Sequence, residues 1–299
     1  MRKRTAAPSA APSAASSNPP DAASSTPAAG GAIRVGIGGW SFEPWRGSFF
    51  PAGLSKAREL EYASRELTAI EINSTFYRQQ TPATFAKWRD AAPDGFVFSV
   101  KASMATTQRR VLAEGGESIG RFINSGLAEL GSKLGPIVWQ FAPTRRFEPD
   151  DVAAFLALLP ATLGALPLRH AIEVRHASFA CAEFVALARR HRVATVFADS
   201  DEYPSFDAPG ADFVYARLMK SEAEQETGYA PERIAFWAGA AQAWAEGRAP
   251  EGIGRVDGAA PVPAPRRDVF LFFISGAKER APAAATALLK ALGREPAAR

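Results

Sequence analysis

Short apolar runs that end in a polar residue recur along the chain, separated by stretches in which apolar residues return every three or four positions. The runs fall at 34–37, 69–73, 96–101, 137–141, 170–175, 195–199, 213–218 and 269–274. Most are apolar at successive positions, the pattern of parallel strands covered on both faces. Between them helical spacing appears in Leu54, Ala57, Leu60 and Ala63, in Phe122, Ile123, Leu127 and Leu130, and in Val152, Phe155, Leu156 and Leu159. Ile234, Trp237, Ala241 and Trp244 mark a further face, with Trp237 and Trp244 read as core, and 283–292 reads as an Ala/Leu helix. Strands alternating with helices predict an α/β fold, and eight of them predict one TIM-type (β/α)8 barrel over 33–293. Its sixth unit is irregular, because 200–212 has loop composition. A doubly wound open sheet is disfavoured, since Gly36-Ile37-Gly38-Gly39 is not a dinucleotide-binding fingerprint.

Composition narrows this picture at its edges. Residues 1–32 are mostly Ala, Ser, Pro and Gly behind a basic start, which predicts a disordered tail. A loop insertion is expected over 247–265 and a flexible end over 294–299. No apolar run approaches the roughly 20 residues of a spanning helix, so no membrane role is expected. The net charge of +4 comes from 35 basic and 31 acidic residues that are interspersed, which leaves a nucleic-acid role not favoured. Cys181 is the only cysteine, so there is no intramolecular disulfide, and a packed thiol in a reducing, cytoplasmic setting is expected. His170, His176 and His191 are the only histidines, too few and too scattered for an all-histidine metal centre.

Chemistry in such barrels sits where the strands end. Those ends carry Glu71 and Asn73, Ser99 and Lys101, Gln140, Glu173 and Arg175 with His176, Asp199, Tyr215 and Arg217, and Ser275. A strand has a side-chain period of two, so Glu71 shares a face with Asn73 and Glu173 with Arg175, and the polar set is expected to point into the mouth. A rival reading is a structural ion network, with Glu71 on Lys101 and Asp199 on Arg217 or Arg175. Buried ion pairs stabilise weakly compared with apolar replacements, which favours a functional pocket. Trp40, Trp45, Phe49 and Phe50 crowd the first loop, either walling that pocket or packing on the barrel.

Several segments together resemble the YecE-like family, also called domain of unknown function 72. They are Gly38-Gly39-Trp40-Ser41 with Trp45 and Phe49-Phe50-Pro51, Glu71-Ile72-Asn73-Ser74-Thr75-Phe76-Tyr77, Phe96-Val97-Phe98-Ser99-Val100-Lys101, Lys133-Leu134-Gly135-Pro136 with Gln140, Glu173-Val174-Arg175-His176, Ala198-Asp199-Ser200 and Tyr215-Ala216-Arg217-Leu218. The resemblance implies a TIM-type barrel with no assigned activity, and places Glu71, Lys101, Glu173, Arg175 and His176 in one mouth. The chain departs from the family pattern at Met219 and Lys220, where His-Gly is usual. It departs again at Ser275, Gly276, Ala277 and Lys278, where an Asn/Asp-rich turn is usual.

The expectation is therefore an acid–base enzyme acting on a small polar or anionic substrate, a sugar or a phosphorylated compound. Glu71, Lys101, Glu173 and Asp199 form its catalytic set, with Glu173 as base and Glu71 as acid. Trp40, Asn73, Tyr77, Gln140, Arg175, His176, Tyr215 and Arg217 are expected to bind substrate. A metal-assisted version would use Glu71, Glu173, Asp199 and His176 on Mg²⁺ or Mn²⁺, and three nearby cations disfavour it. The alternatives are a nucleic-acid or protein binding module and a catalytically degenerate barrel, the latter motivated by Met219 and Ser275.

Overall fold

The computed structural model describes residues 31–207, 210–254, 256 and 266–294. Of the expected tail, residues 1–30 lie outside the described residues, as do 295–299 at the other end. So do 255 and 257–265 of the expected insertion.

Eight parallel strands close into a barrel with β1 (Ile33–Gly38), β2 (Ala69–Ile72), β3 (Val97–Lys101) and β4 (Leu134–Gln140) as its first half. The second half is β5 (His170–Glu173), β6 (Ala194–Asp199), β7 (Phe213–Leu218) and β8 (Asp268–Phe273). Closure is made by β1 on β8, with Ile33 opposite Val269. Among the described residues, seven helices of eight residues or more surround it: α1 (Glu59–Glu66), α2 (Pro82–Ala91), α3 (Gly116–Ile123), α4 (Pro149–Ala157), α5 (Ala182–Arg190), α6 (Pro231–Ala245) and α7 (Ala281–Ala291). Between β6 and β7 the described residues form no helix, as the loop composition there predicts. No helix among the described residues is long and apolar enough to cross a membrane.

Two local departures have physical causes. Helix α2 is absent from the periodicity because only its Phe85 is buried, too thin a stripe to read. The single helix implied by Phe122 to Leu130 is broken, α3 ending at Ile123 and 3-10 turns resuming at Leu127. Gly126 makes the break at φ 122°, where a Cβ would stand 2.6 Å from Pro82 Cα, so only glycine lets this turn lie on the start of α2.

The core has two layers. Odd positions of β1 and β4, such as Val35, Ile37, Ile137 and Trp139, pack outward under the helices, where Trp237 and Trp244 are buried as expected. The half-buried Cys181 packs against the same layer. Inside the barrel, Phe213, Tyr215, Phe270 and Phe272 of β7 and β8 fill the axis, together with the small Ala69, Ala171 and Ala194 of β2, β5 and β6. Large rings from two strands and methyl groups from three others make a packed interior below the mouth.

Candidate functional site

Extending the inward positions by one period carries Ala69 to Glu71, Ala171 to Glu173 and Tyr215 to Arg217, and a second period reaches Arg175. These side chains form the floor of the mouth. Arg217 lies between the two carboxylates, with Nε 3.2 Å from Glu71 Oε2, Nη2 2.9 Å from Glu71 Oε1, and Nη1 donating to Glu173 Oε2. The Tyr215 hydroxyl donates to Glu71 Oε2 at 2.7 Å, reaching across the barrel, and lies 2.8 Å from Ser99 Oγ. Gln140 donates to Glu173 Oε2 at 2.8 Å and Arg175 Nε to Glu173 Oε1 at 2.9 Å. Glu71, Glu173, Tyr215 and Arg217 are all buried.

This pairing decides the charge states. Burial alone would raise the Glu173 carboxyl, but Arg217, Arg175 and Gln140 outweigh it and hold the group below its ordinary value. Burial would lower Arg217, yet Glu173 and Glu71 push it well above the usual guanidinium range. Burial and Glu71 raise the Tyr215 phenol, keeping it a donor.

Above the floor opens a cavity of about 770 Å³. Its ionisable lining is Lys101, Arg175, Arg217, Lys278 and Tyr77; among the described residues no carboxylate lines it. Lys101 is buried, and its ammonium lies 4.0 Å from the Phe76 ring centre without a hydrogen bond or ion pair to a described residue. Burial first, and then Arg217, lower it to about 8 against a partial pull upward from Glu71 and Glu173. Thr75 fixes this wall by donating to the Lys101 carbonyl at 2.7 Å, which sets the short helix Ser74–Tyr77 and its Phe76 ring in place.

Of the other expected residues, Trp40, Asn73 and Gln140 line the cavity, Trp40 standing edge-on to Trp88 at 5.2 Å. Tyr77 stands at the rim, 75% exposed. Tyr215 lies beneath the cavity. Trp45 walls the cavity and is buried, while Phe50 packs beneath the loop. Gln108 also lines the cavity, whereas the Arg109 guanidinium is taken up by Val111 O and Ser118 Oγ.

Two expectations are corrected. Asp199 does not enter the mouth: in β6 the inward positions are Ala194, Val196 and Ala198, so Asp199 turns outward with Phe197 toward α6. His176 is half-buried and caps the turn Ala177–Phe179, its Nδ1 accepting from the Ser178 amide at 3.1 Å. The metal-ligand set of Glu71, Glu173, Asp199 and His176 therefore does not assemble, and no three such side chains form a metal-binding group among the described residues. The rival pairing fails too, because Glu71 meets Arg217 rather than Lys101, and Asp199 faces Arg233 and Lys220.

Sequence reasoning missed Lys278 as a cavity residue. Its ammonium lies 4.4 Å from the Phe42 ring centre, and burial lowers it. The signal was the departure after β8, where Ser275 adopts φ +68°, uncommon for a residue with a side chain, and lines the same wall. Two carboxylates against Lys101, Arg175, Arg217 and Lys278 leave a formal excess of two positive charges at the mouth.

The family profile described as Protein of unknown function DUF72 matches residues 34–299. A DUF72 family protein from Thermotoga maritima MSB8 superposes with TM-score 0.65 at 21% identity, over 88% of this chain and all of that one (100%). One from Enterococcus faecalis V583 gives 0.64 at 18%, over 87% and 95%. SacUVDE gives 0.50 at 11%, over 88% and 99%. At these identities the likenesses establish the fold. No curated protein matches the sequence.

Proposed function

The chain belongs to the DUF72 family of proteins of unknown function, and from its barrel mouth we propose that it is an enzyme acting on a small anionic, phosphorylated or carboxylated substrate. The observation that carries this is the lining: every charged group facing the cavity is a cation, and both carboxylates sit beneath. Arg217 uses three of its five N–H groups on Glu71 and Glu173, leaving two for a ligand. Arg175 commits only its Nε to Glu173 and keeps both terminal nitrogens. The carboxylates thus serve as fixed counterions that orient the guanidinium groups, in place of the acid and base roles expected from sequence.

Proton transfer falls to Lys101. An amine held near 8 exchanges protons readily close to neutral pH. A bound anion beside it raises that value again, so the ammonium is the donor in the complex. Trp40 and Tyr77 offer ring surface for the uncharged part of the substrate.

Calorimetric titration with inorganic phosphate, glucose 6-phosphate and glucose tests the reading. The two phosphates should bind at least about tenfold more tightly than glucose, and Lys101→Met and Arg175→Met should each remove about tenfold or more. Glucose binding as tightly as its phosphate, or phosphate affinity unchanged in both variants, defeats it. Any turnover found among phosphorylated compounds should vanish in Lys101→Met.

A further inference from the structure

A second cavity, of about 380 Å³, shares no lining residue with the mouth. It lies between the end of β6, the early turns of α6, and the chain at Gly252, Ile253 and Gly254. Three buried polar atoms without a partner belong to residues that line it: Asp199 Oδ2, Ser205 Oγ and Trp237 Nε1. Asp199 keeps only 9% of its side chain exposed, and Trp237 is buried. Buried polar atoms are ordinarily paired, so three on residues around one cavity mark side chains that a ligand there completes once they turn toward it.

Charge restricts what that is. The other Asp199 oxygen faces Arg233 at 3.6 Å and Lys220 at 3.9 Å, so the carboxylate already has its countercharges. A cation would meet those two groups, and an anion would meet the unpartnered Oδ2. A neutral ligand remains. It must donate to Asp199, accept from the indole N–H of Trp237, and do either with Ser205. Hydroxyl groups satisfy all three, and Phe197, Phe236 and Ile253 offer apolar surface to ring C–H groups. Arg233 lies over the Phe236 and Trp237 rings at 4.8 and 5.0 Å, holding this wall together. We propose that this side cavity binds a small neutral polyol, a single sugar or cyclitol ring, through Asp199, Ser205 and Trp237.

Saturation-transfer NMR on the full chain, with myo-inositol, D-glucose and D-xylose as probes, tests this. At least one probe should saturate in the millimolar range. Its Kd should rise about fivefold or more in Asp199→Asn and in Ser205→Ala, each removing one hydrogen bond. Ser205 lies in a loop, so its variant reports binding even where Asp199→Asn alters folding. Lys101→Met should leave this binding unchanged, which separates it from the anion site. Three results would overturn the proposal: no saturation by any probe up to about 100 mM, wild-type affinity in both side-cavity variants, or loss of binding in Lys101→Met.

Discussion

The floor of the barrel mouth and its wall are both rich in buried charge, and they treat it in opposite ways. On the floor Arg217 is held between Glu71 and Glu173, with Tyr215, Gln140 and Arg175 completing the hydrogen bonds. On the wall Lys101 is nearly as buried, yet among the described residues its ammonium has no ion-pair partner and lies over the Phe76 ring. A paired buried charge is costly to break and an unpaired one is costly to keep. The floor thus holds its charges paired, whereas the wall holds a charge that burial disfavours.

Mutation should separate the two regions by sign. Arg217→Met leaves two buried carboxylates without their cation, and should destabilise the chain by about 3–5 kcal/mol in urea denaturation. An unchanged midpoint would mean the floor is not held by this pairing. Lys101→Met should go the other way, raising stability by up to about 3 kcal/mol at neutral pH while abolishing phosphate binding. A loss of stability there would show that the ammonium has a partner on the wall.

Acid and base should sharpen the same contrast. Glu173 is lowered in the folded state, so its contribution is present above the ordinary glutamate range and is lost as pH falls through the folded value. Wild type should therefore lose stability below about pH 4.5, with Glu173→Gln showing a flatter acid limb. Lys101 is also lowered, to about 8. Its contribution is fully present only above its unfolded value and is lost as pH falls through 8, so the gain from Lys101→Met should shrink between about pH 8 and 10.5. The smallest effect belongs to Asp199, raised by burial against the pull of Arg233 and Lys220. With the sign reversed, its ionisation weakens the fold as pH rises, and Asp199→Asn should shift stability by less than about 1 kcal/mol at pH 7. A larger loss in thermal melts would place Asp199 among the structural charges of the floor.

Much of this was legible before folding. All eight barrel strands could be read from their apolar runs, because strands covered on both faces must be apolar at successive positions. Period two put Glu71 with Asn73 and Glu173 with Arg175 on shared faces, the cost of burying charge under helices turned the polar set inward, and Glu71, Glu173 and Arg217 meet there. The same rule applied to β6 would have turned Asp199 outward, since the bulky Phe197 suits the helix layer and the small Ala198 suits the barrel axis. What could not be read was who pairs with whom. Glu71 and Arg217 are 146 residues apart in the chain, and only barrel closure brings them together.

By itself the sequence determined the barrel, its irregular sixth unit and the polar character of its mouth, because these follow from local periodicity and composition. Tertiary structure alone decided that the carboxylates lie under the guanidinium, that Lys101 stands unpaired, and that Asp199 belongs to a separate cavity. Depth and partnership in a closed barrel depend on strands far apart in sequence, and no local pattern encodes which buried charge meets which.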